Sequence, residues 1–333
     1  MTDFLDVCYN AIKLQGKGIP NTIESVPSSD LEQIKNKRLV FVGCGDSYAV
    51  AEYGRYVFLS VHVNANSLSP PELKRIPLDT NTLVVGITAS GRSIATIDAL
   101  EYAKKEGAVT VTLTDNPSGS TTEFVDHVWL TKSGVDSYNI SPSVPTTCAM
   151  AYLLRLAALK DATLHSRLSD DSHSLIENGE NVIDWAEDTG KEISQIADME
   201  KQLYMISDGP NFVAAQLGMM KFNEYSLVKG IAALREEFQH HYNLSINNDE
   251  RAVLITDAPI EVADKVFMDV LTNTLNMQVY HLHSDKELPL TSPFGQAIAN
   301  AIALQMAAYY TTLRYNPSMQ KFKQPHADAF KIY

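Results

Sequence analysis

The chain has 333 residues, of which 45% are hydrophobic and 20% charged, and its net charge is −13. This length suits about two domains, and the composition excludes a disordered chain, a collagen and a disulfide scaffold. An acidic protein repels a phosphate backbone, so nucleic acid is not expected as a partner. A small phosphate would have to be bound locally, against the overall field.

The N-terminus and the cysteines predict a reduced, cytoplasmic protein. Residues 1–18 lack the apolar core of a signal peptide. The longest apolar run, 299–310, is interrupted by Asn300 and Gln305 and is too short to cross a membrane. The cysteines form no CxxC or Cys/His pattern, so no metal site is expected. They are Cys8, Cys44 and Cys148.

Apolar runs alternate with helical stretches along the first half. The runs are 38–45, 82–88 and 108–114, and the helical stretches between them are 46–59 and 92–106. Buried strands that alternate with helices predict a parallel sheet covered on both faces. The second helix is expected to bury one face, formed by Ile94, Ile97, Leu100 and Ala103.

The pattern then repeats at a constant offset of 164 residues, with 202–222 lying over 38–58 without a gap. The identical pairs are Leu39 with Leu203, Gly45 with Gly209, Ala51 with Ala215, Gly54 with Gly218, and Phe58 with Phe222. Further strands are expected at 252–256 and 278–283, and a long helix at 294–314. We therefore predict an α/β protein with two similar, doubly wound, flavodoxin-like parallel-sheet domains in tandem.

The same repeat divides the chain into predicted domains. The first domain is expected over 1–165 and the second over 201–333, joined by a helical linker over 166–200. The last stretch, 315–333, has no clear periodicity and is expected to form a tail.

A hydroxyl-rich turn follows the strand at 82–88. It reads Thr88-Ala89-Ser90-Gly91-Arg92-Ser93, and a helix follows it. Free amides at a helix start, surrounded by hydroxyls and a glycine that permits close approach, favour an anion such as phosphate. The alternative is an ordinary N-cap formed by Ser90 or Ser93.

A second turn follows the strand at 38–45 and reads Gly43-Cys44-Gly45-Asp46-Ser47-Tyr48. It lacks the third glycine of a dinucleotide-binding motif, so no such cofactor is expected. No histidine is near Cys44 in sequence, so we interpret this cysteine as a packing residue. Both turns are predicted at the carboxyl ends of parallel strands, where open α/β sheets bind ligands.

Two ionisable residues share one face of an otherwise apolar helix predicted over 211–228. Lys221 and Glu224 are three positions apart, which brings their side chains together. On a wet surface such a pair contributes little, but the apolar neighbours favour a functional pair. His240 follows Glu224 by sixteen residues and is adjacent to His241. Adjacent side chains point in different directions, so joint metal chelation is not expected.

With these motifs together, the chain resembles the sugar isomerase (SIS) family. The likeness is to the isomerase half of glucosamine-6-phosphate synthase and to stand-alone glucosamine-6-phosphate deaminases, and it runs through both halves in order. The family's Cys-Gly-Thr-Ser turn, Ser-Gln-Ser-Gly-Glu-Thr loop, Lys-Leu-Lys-Glu helix and Glu-Leu-Lys-His segment are similar to 44–47, 88–93, 221–224 and 237–240. Gln324-Pro325 is similar to the family's Gln-Pro before its closing lysine, here Lys331.

The sequence departs from the family pattern at three places. Ala89 stands where the family often has Gln, and Arg92 stands where it often has Glu. The segment 144–148 follows the family's Ala-Ser-Thr-Lys only loosely and lacks its lysine. We expect Arg92 to face solvent, and ligand contacts from 144–148 stay open.

The resemblance implies a role for each matching residue. The residues that would hold the 6-phosphate are Ser47, Thr88, Ser90, Ser93, Gly45 and Gly91. Glu224 would be the base that moves a proton between C1 and C2 of the sugar. His240 would assist ring opening and, in this family, reaches into the site of the neighbouring subunit. Lys221 and Lys331 would hold charge near the open chain.

The implied function is a metal-independent phosphosugar isomerase-deaminase that needs no cofactor. It would interconvert glucosamine 6-phosphate with fructose 6-phosphate and ammonia, as a cytoplasmic homodimer with shared active sites and without nucleic-acid or membrane partners. The alternatives are a glucose or mannose 6-phosphate isomerase, a deglycase of sugar-amine phosphates, and a non-catalytic phosphosugar sensor. Ammonia release separates the first function from the simple isomerases.

Overall fold

The computed structural model describes residues 4–138, 143–160, 166–247, 249–284, 288–321, 327–330 and 332. The chain divides into two compact units, each built from stretches that are distant in sequence. The five-stranded unit comprises Lys17–Glu177 and Gln324–Tyr333. The four-stranded unit comprises Met1–Gly16 and Asn178–Lys323.

The chain alternates strands and helices in both units. The strands are β1 (Arg38–Val42), β2 (Ala65–Leu68), β3 (Thr82–Ile87), β4 (Val109–Thr114), β5 (His127–Leu130), β6 (Gln202–Ser207), β7 (Lys229–Leu234), β8 (Arg251–Ile255) and β9 (Gln278–Leu282). The helices are α1 (Phe4–Lys13), α2 (Gln15–Ser25), α3 (Ser29–Ile34), α4 (Asp46–Ser60), α5 (Ile94–Lys105), α6 (Ser143–Lys160), α7 (Ser166–Glu177), α8 (Gly179–Ile196), α9 (Gly209–Tyr225), α10 (Arg235–His240), α11 (Val262–Asp269), α12 (Pro293–Tyr315) and α13 (Ala327–Phe330).

The five-stranded sheet is parallel throughout, in the order β2-β1-β3-β4-β5. Its central strands are buried along their length because helices cover both faces, as the run of Val and Leu residues requires. In this order the connections diverge between β1 and β3, which is where such sheets open a ligand crevice. The turns that follow β1 and β3 therefore lie side by side at the carboxyl edge.

The four-stranded sheet is also parallel, in the order β7-β6-β8-β9. This order matches β2-β1-β3-β4 of the other sheet, strand for strand. Its core contains aliphatic and aromatic side chains from strands and covering helices, among them Tyr204, Ile206, Phe238, Leu254 and Leu271. The predicted class, α/β with parallel sheets, is confirmed.

The glycines of the internal repeat occupy equivalent backbone positions. Gly45 immediately precedes α4, and Gly209 is the first residue of α9. Both glycines have a positive φ, +56° and +55°. At the helix glycines, a Cβ on Gly54 would lie 3.2 Å from Phe41, and one on Gly218 would lie 2.9 Å from Met205. Phe41 and Met205 are themselves 164 residues apart, so the same helix-on-strand contact recurs in both units.

Some boundaries differ from the sequence predictions. The helix predicted over 211–228 ends at Tyr225, because the chain turns at Ser226 and enters β7. On α5, Leu100 and Ala103 of the predicted face are buried, whereas Ile94 at its start is 39% exposed. The buried positions of that helix are Thr96, Ala99, Leu100 and Ala103.

The stretch predicted as a linker, 166–200, contains two helices. Helix α7 belongs to the five-stranded unit, while α8 belongs to the four-stranded unit and packs along α12. Within the described residues, no helix is long and apolar enough to cross a membrane.

Candidate active site

The hydroxyl-rich turn connects β3 to α5 and is largely buried. The exposed fractions of Thr88, Ser90 and Ser93 are 4%, 8% and 9%. Gly91 has φ +68°, and a Cβ there would lie 2.6 Å from the Cα of Gly119. Only glycine fits this position, because any side chain would strain the backbone and clash with the adjacent loop.

The loop that follows β4 braces this turn through its backbone. Asn116 donates from its side-chain amide to the carbonyl oxygen of Ser90 at 3.0 Å. The backbone N–H of Thr121 donates to the carbonyl oxygen of Gly91 at 3.1 Å. With its carbonyls held from one side, the turn is preorganised at the start of α5.

Ser93 occupies the N-cap position of α5, but its hydroxyl does not cap the helix. The Ser93 hydroxyl instead donates to the sulfur of Cys44 at 3.7 Å and accepts from Thr96 at 3.3 Å. The first amide of the helix, on Ile94, donates to the carbonyl oxygen of Ile332 at 3.4 Å. The helix start therefore lacks a side-chain cap at Ser93, as an anion site requires.

The turn after β1 contacts the turn after β3 through the sulfur of Cys44. Cys44 is half-buried, and Asp46 and Ser47 form the first turn of α4. The sequence prediction that the two turns share one edge of the sheet is confirmed by the Ser93–Cys44 contact. Arg92 is exposed, as expected.

A small cavity of about 10 Å³, room for about one water molecule, lies behind these turns. Its polar lining is formed by Ser47, Thr114, Asp115, Thr131 and Thr146. Ser47 is the one predicted phosphate ligand among these lining residues. The cavity is far smaller than an ordinary small-ligand pocket, which is about 300–1,000 Å³.

Lys221 and Glu224 form an ion pair on α9, with 2.8 Å between Nζ and Oε2. The Lys221 side chain is fully buried, whereas 31% of the Glu224 side chain is exposed. Most of the other buried residues of α9 are apolar, including Leu217 and Phe222. A buried ammonium group needs such a partner, so Lys221 fixes one carboxylate oxygen of Glu224 while the group keeps access to solvent.

Cys8, on α1, lies within electrostatic range of this pair. Burial raises the pKa of Cys8 to about 12, Lys221 opposes that rise and Glu224 adds to it. Sequence reasoning missed this residue, because no motif links position 8 to positions more than two hundred residues away.

His240 lies on α10, where 72% of its side chain is exposed. Its Nε2 is 3.0 Å from Oε1 of Glu236, and the neighbouring His241 pairs with Glu237 at 3.1 Å. The structure therefore gives the two imidazoles separate partners. Lys331 and the Gln324-Pro325 motif lie outside the described residues. Among those described, no three His, Cys, Asp or Glu side chains are grouped as metal ligands.

The carboxyl edge of the four-stranded sheet has a different chemistry. Asp208 follows β6 and Asp257 follows β8. Desolvation raises the pKa of both carboxyls, and for Asp257 the nearby Asp264, Asp208 and Glu261 add to the rise. Asn211 donates to Asp257 at 2.7 Å, and Arg235 pairs with Asp264 at 2.7 Å.

Part of the chain matches the model of a known domain family. Residues 33–160 match the model of the SIS domain. Among curated proteins, the glutamine–fructose-6-phosphate aminotransferase (isomerizing) of Clostridium tetani is 23% identical over 322 residues, covering 90% of this chain and 52% of that protein. The chain spans about half the length of the curated relatives it matches.

Structural comparison shows the same fold over nearly the whole chain. The C-terminal domain of glucosamine-fructose-6-phosphate aminotransferase from Francisella tularensis superposes with a TM-score of 0.76 at 18% identity, covering 94% of this chain and 96% of that one. Glucosamine-6-phosphate deaminase from Thermotoga maritima superposes with a TM-score of 0.71 at 16% identity, covering 92% and 94%.

Proposed function

Because residues 33–160 are a SIS domain, we propose that this chain is a phosphosugar isomerase-deaminase. The reaction is the interconversion of glucosamine 6-phosphate with fructose 6-phosphate and ammonia. The observation that carries the proposal is the ion pair between the buried Lys221 and the partly exposed Glu224, which holds a carboxylate on a mostly apolar helix. The relatives whose names include glucosamine 6-phosphate and fructose 6-phosphate support this choice of substrates.

Glu224 is the proposed base. Aldose–ketose interconversion needs one group that takes a proton from C1 or C2 and returns it to the neighbouring carbon. A positioned general base contributes about 10²–10⁴-fold to the rate. Lys221 holds one oxygen of this carboxylate at 2.8 Å and, with Lys331, supplies the positive charge for the open-chain sugar.

The turns after β1 and β3 are the proposed phosphate site. Hydroxyls and backbone amides at the start of α5 bind the phosphate without a cluster of cations, which suits a chain with a net charge of −13. The proposed ligands are Ser47, Thr88, Ser90 and Ser93, with Gly45 and Gly91 giving the backbone its shape.

The four-stranded unit is, in this proposal, a second SIS domain in tandem with the first. The shared strand order and the recurrence of Gly45 at Gly209 and Gly54 at Gly218 support it. The proposed assembly is a homodimer, in which the exposed His240 serves ring opening in the neighbouring subunit. Mixing inactive Glu224→Gln and His240→Ala proteins should then restore activity through hybrid dimers, and no recovery after subunit exchange would contradict a shared site.

The cysteines support a cytoplasmic reaction, because Cys8, Cys44 and Cys148 are all free thiols. A panel of hexose and hexosamine 6-phosphates tests the function, with isomerisation and free ammonia as the two readouts. Glu224→Gln should abolish both, while Glu200→Gln, an exposed glutamate of the same unit, should leave both unchanged. Isomerisation without ammonia would favour the simple isomerase, and binding without turnover would favour a sensor.

A further inference from the structure

Helix α11 covers the four-stranded sheet with one face and carries an apolar stripe on the other. Its inner face contributes Phe267 to the core of the unit, and Leu271 joins the same core one turn later. On the outer face, the exposed fractions of Val262, Val266 and Val270 are 77%, 60% and 39%. We call these three residues the valine stripe.

The valine stripe is continuous because its members are four residues apart. Val270 directly follows α11 and keeps a helical backbone, φ −62° and ψ −46°. Residues at such spacing lie within about 80° around a helix and about 12 Å along it. Valine is also a weak helix former, so local helix stability does not account for three exposed copies of it. Single exposed apolar side chains are common, whereas a contiguous patch marks an interaction site.

Two opposite charges lie along one side of the valine stripe. Lys265 and Asp269 are both exposed and are four residues apart, beside Val266 and Val270. When two copies of a helix pack antiparallel about a two-fold axis, the same side of each helix meets in both copies. With the axis at Val266, Val262 of one copy faces Val270 of the other. Lys265 of one copy then lies about 3 Å along the helix from Asp269 of the other, so the charges complement each other.

The neighbouring helix connects this face to the proposed active site. The ring centroids of Phe238 on α10 and Phe267 on α11 are 6.2 Å apart. Arg235, the first residue of α10, pairs with Asp264 of α11 at 2.7 Å. Helix α10 also carries His240, whose side chain is 72% exposed. A partner bound to α11 would therefore lie beside the helix whose histidine the proposed function assigns to the neighbouring subunit.

We propose that the valine stripe is the centre of a two-fold symmetric interface and that its occupant is a second copy of this chain. Valine packs on valine across the axis, and Lys265 of each copy pairs with Asp269 of the other. An apolar centre with a charged rim is the ordinary composition of a stable interface. The inference rests on the proposed function, because it names the face through which two subunits would share His240.

Val266→Asp tests the apolar centre, because it places two carboxylates against each other at the axis. The dissociation constant of the dimer should rise about 10²-fold or more, since like charges in an apolar interface repel strongly. The fold of each subunit should persist, because the Val266 side chain is exposed, and circular dichroism checks this. Met199→Asp is the matched control, because Met199 is 49% exposed and lies in the turn between α8 and β6. It should change the dissociation constant by no more than about twofold.

Reversing one charge at a time tests the register of the two helices. Lys265→Asp gives each copy two acidic residues beside the stripe, and Asp269→Lys gives each copy two basic ones. Both homodimers should therefore weaken about tenfold. An equimolar mixture of the two variants restores both pairs across the axis, so the heterodimer should form with an affinity within about threefold of the wild type. Native mass spectrometry distinguishes the heterodimer from the homodimers.

Sedimentation equilibrium of the full chain measures the dissociation constants, and turnover of fructose 6-phosphate is assayed in parallel. A wild type that is monomeric at every concentration, or a Val266→Asp protein that is as dimeric as the wild type, would overturn the inference. Charge-reversed variants that pair with themselves as readily as with each other would overturn the register. Turnover by the wild type would leave the proposed reaction intact in each case. A Val266→Asp protein that dissociates and keeps full turnover would support the interface and contradict the shared active site.

Discussion

The carboxyl edges of the two sheets have the same architecture and opposite chemistry. In the repeat register, Asp208 of the four-stranded unit stands where Cys44 stands in the five-stranded unit, and Asn211 stands where Ser47 stands. We call the turns 43–48 and 88–93 the hydroxyl edge, and Asp208, Asp257 and Asp264 the carboxylate edge. The hydroxyl edge offers amides and hydroxyls to an anion, and the carboxylate edge repels one.

The comparison shows that the repeat preserves the backbone at the helix start while the side chains of the turns differ. The left-handed glycine recurs at both helix starts, so the two backbones present amides alike. At the carboxylate edge, however, Asn211 donates to Asp257, and burial raises the pKa of both Asp208 and Asp257. The proposed function places phosphate binding in the five-stranded unit and proton transfer, through Glu224, in the four-stranded unit.

The variant with the largest expected effect separates proton transfer from phosphate binding. Glu224→Gln should lower turnover of fructose 6-phosphate by at least about 10²-fold, because it removes the proposed base. Inorganic phosphate affinity should stay unchanged, since the hydroxyl edge belongs to the other unit. Steady-state kinetics measure turnover, and calorimetry on the same preparation measures phosphate affinity. A parallel loss of phosphate binding would contradict the separation of the two roles between the units.

The next effect tests the geometry of the hydroxyl edge. Gly91→Ala strains a backbone at φ +68° and places a methyl group 2.6 Å from Gly119, so we expect a loss of about 1–3 kcal/mol in stability. Phosphate binding should weaken about tenfold or more as the loop shifts. Gly107→Ala is the control, because Gly107 also has a left-handed backbone, φ +85°, but a Cβ there meets nothing within 4 Å. If both variants weaken phosphate binding alike, the loop geometry is not the cause.

A third prediction concerns Glu187, a carboxylate of the same unit that accepts hydrogen bonds and, unlike Asp208 and Asp257, has a lowered pKa. Burial alone would raise the pKa of Glu187, but hydrogen bonds from Tyr310, Lys191, Tyr9 and Lys13 outweigh it and lower the pKa to about 2. This stabilisation is complete above pH 4.5 and is lost as the pH falls towards 2. It amounts to about 2–3 kcal/mol. Denaturant unfolding across this range should show a steeper acid loss for wild type than for Glu187→Gln, and identical slopes would contradict the assignment.

The smallest effect concerns the carboxylate edge itself. Because the pKa of Asp257 is raised in the folded protein, its ionised carboxylate lowers the free energy of unfolding at neutral pH. Protonation removes this loss as the pH falls towards 3.8. Asp257→Asn keeps an acceptor for Asn211 and removes the charge. The melting temperature should rise at pH 8 by no more than about 2 °C, and the gain should vanish near pH 4. A loss of stability at pH 8 would show that the charge is needed there.

Local spacing made part of this molecule predictable. The three-residue spacing of Lys221 and Glu224 fixes a shared helix face, and the structure confirms their pairing. Strands β1, β3 and β4 are long apolar runs that read as buried strands. The recurrence of Gly45 at Gly209, both with positive φ, followed from one alignment of the chain with itself.

The remaining features depend on contacts that spacing does not encode. Strands β2 and β5 have four residues each, too short for a periodic signal, and β7 begins directly after the stretch predicted as helix. Cys8 reaches the Lys221–Glu224 pair only through packing of α1. The hydrogen bonds that Asp115 accepts from Thr131 and Tyr138 join a strand end to a loop that has no repetitive structure.

Solvent exchange at the sugar carbons tests the central claim most directly. Fructose 6-phosphate is incubated with the full chain in heavy water, and deuterium at C1 is followed by proton NMR. We predict that the wild type incorporates solvent deuterium at C1, that Glu200→Gln does so at the same rate, and that Glu224→Gln is slower by at least about 10²-fold. Exchange by Glu224→Gln at the wild-type rate would contradict the assignment of Glu224 as the proton-transferring base.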